Sequence, residues 1–292
     1  TESIAMEPFV KHPEMVLELE DISVFRANWE NKADNIRQIQ SILNIGFDSM
    51  VFLDDNPFER NIVRENIPEI SVPELPEDPA DYLEFLYELN LFETSSFSHE
   101  DSDRTRLYQI EAERVKVLQS FTNQDDFLKN LNMCSDIQSF SKFNTPRIAQ
   151  LSQRSNQFNL RTVRYSEGDI EKISASEDHF GFAYTLEDNF GDNGLICVVI
   201  LKKESQNILF IDTWFMSCRV LKRGMENFVL NTIVNTAKLH GCSTIVGEYI
   251  PTTKNSLVKD HYTDLGFMKE QNKFYLDIKN YKPKLSYIQI KL

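Results

Sequence analysis

The chain has 292 residues, of which 41% are hydrophobic and 26% charged, and its formal net charge is −14. This length suits two domains better than one, and the apolar content is sufficient for sizeable cores. The acidic balance argues against nucleic acid as the main partner, because neutralising phosphates requires a basic face. No apolar run reaches the roughly 18 residues of a transmembrane helix, so we expect no membrane partner.

The four cysteines are widely spaced and form no Cys-x-x-Cys pair; they are Cys134, Cys197, Cys218 and Cys242. This spacing argues against a zinc ribbon or a redox dithiol. Thiols of this kind in a chain with good apolar content are typical of a reducing compartment. We therefore expect a cytoplasmic protein whose cysteines are not in disulfides.

The first ninety residues alternate helix-like and strand-like patterns. Met15–Leu19 is a short candidate strand, and apolar spacing predicts a helix over Lys32–Leu43 that stops at Gly46. Met50–Leu53 is a compact apolar strand that leads into an acidic turn, and Pro57 suits the first turn of a helix that runs to about residue 65. Strand, turn and helix in this order predict an α/β sheet.

Prolines are concentrated in residues 68–80 and predict an extended segment after this helix. Helical patterns follow at about 79–90 and 101–131, with a break near 94–99. We therefore predict three parts: an α/β part over residues 1–93, a helical connector over 94–131, and a second α/β domain over 132–292.

The second α/β domain combines three successive strand patterns with strand–helix units, which predicts a mixed sheet. The predicted strands are Phe180–Leu186, Gly194–Lys202, Asn207–Phe215, Ser243–Ile250 and Lys273–Ile278. The predicted helices are Met225–Leu239 and Ser256–Leu265.

Two adjacent carboxylates, Asp54 and Asp55, follow the strand at Met50–Leu53. The carboxyl ends of strands in open α/β sheets form the crevice where ligands bind. Two close carboxylates repel each other, and Mg²⁺ relieves this repulsion while it coordinates phosphate oxygens. The pattern thus predicts a magnesium and phosphate site, although an Asp-rich turn that caps a helix is also common.

This region resembles the rear half of a haloacid-dehalogenase superfamily domain of the FkbH-like subgroup. The resemblance lies in residues 28–32, 43–48 and 51–60, and it implies that Lys32 steadies the transferring phosphoryl group while Asp54 and Asp55 bind Mg²⁺. The family's Asp-x-Asp nucleophile has no counterpart before Asn28. We therefore expect this chain alone to show no phosphatase turnover.

Three further segments resemble FkbH-like signatures: Ser155–Leu160 with Arg161 and Arg164, Asp188–Gly194, and Met216–Val220. The distal region also resembles Gcn5-related N-acetyltransferases, with Asn255, Tyr262 and Gly266–Phe267 at the spacing of that fold. The implied fold is α/β throughout: a partial Rossmann-like phosphatase domain plus a mixed α/β domain similar to those acetyltransferases. The candidate residues for binding substrate or phosphopantetheine are Asn156, Gln157, Asn159, Arg161, Arg164, Asp192, Arg219, Arg223, Gly224 and Asn255.

Cations cluster where the strand 207–215 leads into the helix from Met225. Backbone N–H groups at a helix start, near Arg219, Lys222 and Arg223, predict an anion site for pyrophosphate or phosphopantetheine, although a cationic surface turn has the same pattern. The acetyltransferase glycine pattern is incomplete, because Leu221 replaces Arg or Gln and Glu226 replaces a small residue. This departure suits an acyl donor other than acetyl-CoA.

Cys218 lies where this strand meets the helix start, beside Arg219, and both features favour the thiolate. The FkbH-like resemblance implies that a glyceryl group passes from 1,3-bisphosphoglycerate through an enzyme thioester to an acyl carrier protein. Cys218 is the candidate for that thioester, and a buried inert cysteine is the alternative. We expect an acidic carrier protein to bind the basic tract that carries Lys142, Arg147, Arg154, Arg161 and Arg164.

Two other functions remain open. A free-standing N-acetyltransferase would bind CoA tightly and would not need Cys218. A non-catalytic module would bind the carrier protein without acyl transfer. His240 and His261 lie in or near predicted helices, and each is either a general base or a structural residue.

Overall fold

The computed structural model describes residues 2–93 and 102–291. The chain forms two compact units, Thr1–Ser120 and Phe121–Leu292. The helix predicted over 101–131 is two helices, one in each unit, so the predicted connector is divided between them. The break predicted near 94–99 lies outside the described residues.

The described part of the first unit is mainly helical. Its α-helices are Glu2–Lys11 (α1), Lys32–Leu43 (α2), Pro57–Asn66 (α3), Tyr82–Glu88 (α4) and Arg104–Leu118 (α5). Single turns of 3₁₀ helix lie at Leu19–Asp21, Phe47–Ser49 and Pro79–Asp81.

Helices α2 and α3 pack through a small apolar cluster that includes Ala33, Ile36 and Val63. The prediction of α2 is confirmed, but its stop is Asn44, not Gly46, because Asn44 adopts the left-handed conformation at φ 52°. The strand predicted at Met15–Leu19 is wrong. Val16 is 93% exposed, and in the described structure this segment leads into the 3₁₀ turn at Leu19–Asp21 instead of pairing in a sheet.

The second unit contains a nine-stranded sheet in the order β7-β8-β6-β5-β4-β3-β1-β9, with β2 also paired to β3. The strands are β1 (Cys134–Ser135), β2 (Ile137–Ser139), β3 (His179–Asp188), β4 (Gly191–Lys203), β5 (Ile208–Met216), β6 (Thr244–Glu248), β7 (Met268–Glu270), β8 (Lys273–Asp277) and β9 (Gln289–Ile290). The pairs β5–β6 and β1–β9 are parallel, and the other pairs are antiparallel. The predicted mixed α/β class is confirmed.

Helices cover both faces of this sheet. The α-helices are α6 (Gln124–Asn130), α7 (Thr145–Arg154), α8 (Glu167–Ser174), α9 (Met225–Leu239) and α10 (His261–Asp264), and 3₁₀ turns lie at Cys218–Val220 and Ser256–Val258. Alternate residues of β4 point to opposite cores: Cys197 and Val199 pack with α9, whereas Val198 and Ile200 pack with α7 and α8. The structure confirms α9, whereas α7 and α8 were not predicted.

The helix predicted over Ser256–Leu265 is a 3₁₀ turn followed by the short helix α10. None of the helices in the described ranges combines the length and apolar character that crossing a bilayer requires.

Candidate functional site

The acidic turn, residues 53–57, lies between a short extended segment and helix α3. The Phe52 N–H donates to the Ser71 carbonyl at 2.9 Å, which holds Val51 and Ser71 in parallel register. Asn56 is the N-cap of α3: its Oδ1 accepts the Phe58 N–H at 3.0 Å. The turn and the helix are present as predicted, and both Asp54 and Asp55 precede the helix start. The predicted strand Met50–Leu53 is wrong, because in the described residues the segment forms only an isolated bridge between Val51 and Ser71.

Asp54 and Lys32 lie together, as their predicted roles require. Asp54 Oδ2 is 3.3 Å from Lys32 Nζ, and the Asp54 side chain is 12% exposed while that of Lys32 is 47% exposed. The other oxygen, Asp54 Oδ1, accepts the Asn56 N–H at 2.9 Å. Asp55 is exposed beside it. The turn therefore offers one carboxylate that is held in place and one that is open to solvent.

This donor set fits Mg²⁺ that keeps several of its water ligands. Mg²⁺ is commonly bound through one or two carboxylates plus substrate phosphates, and Asp54 and Asp55 supply two. Within residues 2–93 and 102–291, no three His, Cys, Asp or Glu side chains group closely enough to hold a metal by themselves. Phosphate and water oxygens would have to complete the coordination.

A cavity of about 730 Å³ lies in the first unit and includes Lys32 in its lining. Its other lining residues are mainly apolar and include Trp29, Ile36, Ile39 and Phe52. Lys32 is thus positioned between this cavity and Asp54.

Arg60, which was not among the predicted site residues, contacts the acidic turn. Its Nη1 donates to the carbonyl oxygens of Asp54 at 2.7 Å and Asp55 at 3.1 Å. The only sequence signal is an arginine three residues after Pro57, which is one turn into the helix.

The cysteine turn, residues 217–224, connects strand β5 to helix α9. The entry to the turn is held from two sides: the N–H of Met216, the last residue of β5, donates to the Phe158 carbonyl at 3.0 Å, and the Ser217 N–H donates to the Ile196 carbonyl at 2.7 Å. Cys218 begins the 3₁₀ turn, and Gly224 at φ 79° is the N-cap of α9. The predicted placement of Cys218 between a strand and a helix start is therefore present.

All four cysteines are outside disulfides, as expected. Cys197 and Cys242 are buried, and burial raises the pKa of both thiols, which disfavours the reactive thiolate. Cys134 and Cys218 are partly exposed. Each has a cation nearby: Arg219 follows Cys218, and its Nε donates to Ser217 Oγ at 3.3 Å, whereas Lys291 interacts electrostatically with Cys134.

Arg223 is committed to an internal ion pair. Its Nη1 is 3.1 Å from Asp188 Oδ2, and the two side chains are 4% and 0% exposed. Its Nη2 donates to the Arg219 carbonyl at 2.6 Å. Arg223 therefore ties the cysteine turn to the end of β3, and Asp188 compensates its charge.

Glu226 occupies the start of helix α9. Burial raises the pKa of its carboxyl group, and the nearby backbone of Glu226 and Lys222 acts in the opposite direction. A carboxylate therefore already lies where Arg219, Arg223 and Gly224 were predicted to bind an anion. The anion site stays a prediction, and a phosphate there would have to displace this side chain or bind while it is protonated.

Strands β5 and β6 pair only as far as Phe210 and Val246, and a separate segment lies beyond that point. We call residues 158–161 the wedge segment. The Leu160 N–H donates to the Trp214 carbonyl at 3.2 Å, and the Ile250 N–H donates to the Leu160 carbonyl at 2.9 Å. The wedge segment therefore hydrogen-bonds to the C-terminal part of β5 on one side and to the residues just after β6 on the other.

Two predicted binding residues anchor the wedge segment. The Arg161 guanidinium contacts Asp212 Oδ1 at 2.7 Å and Glu248 Oε2 at 2.8 Å, so it links β5 and β6. Asn255 is buried, and its Nδ2 donates to the carbonyls of Asn159 at 3.0 Å and Ile250 at 2.9 Å. Asn159 is also buried, and its Oδ1 accepts the Thr162 N–H at 2.8 Å.

The remaining predicted residues lie near the end of α7 and in the β3–β4 turn. Arg164 donates to the carbonyls of Ser152 and Ser155, the latter at 2.9 Å, and to Asn156 Oδ1. These bonds satisfy carbonyls in the last turn of the helix and just beyond it. Gln157 is half-buried, and Asp192 is exposed with Oδ1 accepting the Gly194 N–H at 2.8 Å.

The two candidate histidines have structural environments. His261 is buried with its ring 4.5 Å from that of Trp214, and burial lowers its pKa to about 3. His240 stacks on Phe180 with ring centroids 3.9 Å apart. Both positions favour the structural role over general-base catalysis.

No protein-family model and no curated protein sequence matches the chain. Among solved structures, the N-terminal part of a Bacteroides fragilis protein, which contains a phosphatase domain complexed with Mg, is 75% identical over 33% of this chain, with a TM-score of 0.33. This chain spans 26% of that structure's length.

Other similar structures are N-acetyltransferases. A ribosomal-protein alanine N-acetyltransferase from Escherichia coli is 15% identical over 52% of this chain and 98% of its own, with a TM-score of 0.39. A spermidine N-acetyltransferase from Vibrio cholerae in complex with CoA and spermine is 13% identical over 49% of this chain and 95% of its own, with a TM-score of 0.39. All these TM-scores are below 0.5, so we take the fold from the strand order given above. The solved structures similar to this chain thus include a protein with a phosphatase domain and several N-acetyltransferases.

Proposed function

We propose that this chain is part of an FkbH-like enzyme that passes an acyl group through a thioester at Cys218 to an acyl carrier protein. The observation that carries the proposal is the position of Cys218, which is partly exposed between β5 and α9 with Arg219 next to it. The backbone before it is held by hydrogen bonds on two sides, at Met216 and Ser217. A nucleophile gains from such fixed placement, because the reacting atoms need not be reoriented in each cycle.

The acyl donor would be a three-carbon acyl phosphate that carries a second phosphate group, such as 1,3-bisphosphoglycerate. The Cys218 thiolate attacks the carbonyl carbon, the C–S bond forms as the C–O bond to phosphate breaks, and phosphate leaves with the electron pair. The thiol of the carrier's phosphopantetheine arm then gives up its proton and attacks the thioester carbonyl, and the cysteine leaves as a thiolate. The proton ends on that thiolate or on solvent.

The first unit would handle phosphate with Mg²⁺ held by Asp54 and Asp55. Bound Mg²⁺ would neutralise charge on phosphate oxygens. Lys32, 3.3 Å from Asp54 Oδ2 and adjacent to the cavity, would steady the phosphoryl group. The structure with the phosphatase domain contains Mg, and for this chain the metal remains a proposal that rests on the two carboxylates.

The carrier protein would bind those cations of the basic tract whose side chains are exposed to solvent. Arg161 and Arg164 are committed to internal contacts, whereas Lys142 is exposed. An acidic carrier would therefore be attracted mainly to the outer part of the tract, near Lys142.

Intact-mass spectrometry tests the thioester. The chain would be incubated with Mg²⁺, 1,3-bisphosphoglycerate and a complete FkbH-like phosphatase domain supplied separately. We expect a glyceryl-sized adduct that hydroxylamine removes. The adduct should be absent in Cys218→Ala and retained in Cys134→Ala, the matched variant of the other partly exposed cysteine.

An adduct that persists in Cys218→Ala would contradict the assignment of the nucleophile. No adduct at all, with proven activity of the added domain, would favour a module that recognises the carrier without catalysis.

A further inference from the structure

Arg60 is a buried cation that binds backbone, although two carboxylates lie next to it in sequence. Its side chain is 8% exposed, and Nη1 donates to the carbonyls of Asp54 and Asp55 at 2.7 and 3.1 Å. An arginine that paired with the carboxylates themselves would compete with a bound cation. Toward the acidic turn Arg60 donates to the two carbonyls and not to the carboxylates, so it holds the peptide units that carry them. The Asp55 side chain is exposed, and the Asp54 carboxylate contacts Lys32 Nζ at 3.3 Å and the Asn56 N–H at 2.9 Å.

Glu74 compensates the charge of Arg60 from the other side. Glu74 Oε2 accepts from Arg60 Nε at 3.2 Å and from Nη2 at 2.9 Å, and its Oε1 is 2.5 Å from Arg64 Nη2. The hydrogen bond from Arg60 lowers the pKa of Glu74, so the carboxyl stays ionised. A buried guanidinium is tolerated when it is paired and hydrogen-bonded, and Glu74 provides this.

The backbone carbonyls of Asp54 and Asp55 are therefore both held by the planar guanidinium of Arg60. Adjacent carboxylates repel each other, and a turn that is free to relax would move them apart. A cation site binds most tightly when its ligands are already held in the bound geometry.

We propose that Arg60 is a positioning residue that preorganises Asp54 and Asp55 for a divalent cation, with Glu74 holding Arg60 in place. This inference rests on the proposed magnesium site. It adds that cation affinity depends on two residues, Arg60 and Glu74, that do not touch the metal.

The test is an isothermal Mg²⁺ titration of the full chain and of four variants. Arg60→Gln should raise the Mg²⁺ dissociation constant by about 10- to 100-fold, the usual effect of losing an outer-shell partner. Glu74→Gln should raise it less, because Arg60 remains, and Arg60→Lys should fall between Arg60→Gln and the unchanged chain. Glu77→Gln, an exposed acid in the same stretch, is the matched control and should leave affinity unchanged.

Thermal unfolding without metal separates positioning from a merely structural role. If Arg60→Gln does not fold, Arg60→Lys and the surface variant Glu74→Gln decide the matter. Folded variants that bind Mg²⁺ as tightly as the unchanged chain would overturn the role of Arg60 while the magnesium site stands. An unchanged chain that shows no saturable Mg²⁺ binding would overturn both.

Discussion

The acidic turn and the cysteine turn share one local plan, since each follows an extended segment and leads into a helix, but they differ in what occupies the helix start. In the acidic turn the neutral Asn56 caps α3, and Asp55 points to solvent. In the cysteine turn the half-buried Glu226 occupies the start of α9, and Arg223 is neutralised by Asp188. A helix start is therefore not evidence of an anion site until the chain's own side chains have been placed.

The difference predicts that substitution of Arg223 acts mainly on stability. Arg223→Met should lower the free energy of unfolding by about 3–5 kcal/mol, because it leaves Asp188 buried without its partner. Urea unfolding measures this. The control is Glu187→Gln, which breaks an ion pair at the surface: the Glu187 side chain is 48% exposed and that of Lys291 58%. This variant should lower the free energy of unfolding by less than about 1 kcal/mol. Equal losses of unfolding free energy in the two variants would show that Arg223 and Asp188 are less shielded from solvent than their contacts indicate.

Glu226 should give the second unit a distinct pH dependence. Burial raises its folded-state pKa above the ordinary value of 4.5, so the folded protein holds this proton more tightly than the unfolded chain. The resulting stability is fully present below pH 4.5 and is lost as pH rises through the folded pKa. Glu226→Gln should remove this part of the decline, as measured by urea unfolding at a series of pH values.

Glu226→Gln also tests whether the Glu226 carboxylate opposes anion binding at the start of α9. Inorganic pyrophosphate and CoA should bind the unchanged chain weakly at neutral pH, and Glu226→Gln should bind both more tightly because a negative charge is gone. Tight CoA binding by the unchanged chain would instead revive the N-acetyltransferase alternative.

Substitution of Asp55 should change stability least. Its side chain is exposed, so Asp55→Asn should alter the free energy of unfolding by no more than about 0.5 kcal/mol. The same variant should nonetheless abolish saturable Mg²⁺ binding in a titration. A large loss of stability without a change in Mg²⁺ binding would mean that the acidic turn is a structural cap.

Local patterns in the sequence predict the elements with strong periodicity. Helices α2, α3 and α9 begin where capping signals and apolar spacing place them, and β3 to β5 follow their apolar runs closely. Met15–Leu19 has an apolar composition like theirs but pairs with no strand within residues 2–93 and 102–291. Strand formation depends on pairing as well as composition, and composition alone does not supply a neighbour.

Among the site residues, too, some arrangements follow from sequence patterns and others do not. A family resemblance assigned Lys32 and Asp54 to one phosphoryl-transfer site, and their side chains lie 3.3 Å apart. Pairing of Arg161 across the fold was one of two alternatives for the basic tract, and its partners Asp212 and Glu248 lie too far away in sequence to be identified beforehand. The buried position of Asn255 and its bond to the Asn159 carbonyl were not predicted. Polar residues in a motif do not reveal whether they face a ligand or the chain itself.

The wedge segment has a consequence for the sheet as a whole. Where β6 diverges, the C-terminal half of β5 would present unpaired N–H and C=O groups, and such an open edge can recruit strands from other molecules. Phe158 and Leu160 pair with this edge up to Met216, and β4 pairs with the opposite edge. The strand that leads to Cys218 is thereby protected from edge-to-edge aggregation, even though its parallel neighbour has already turned away.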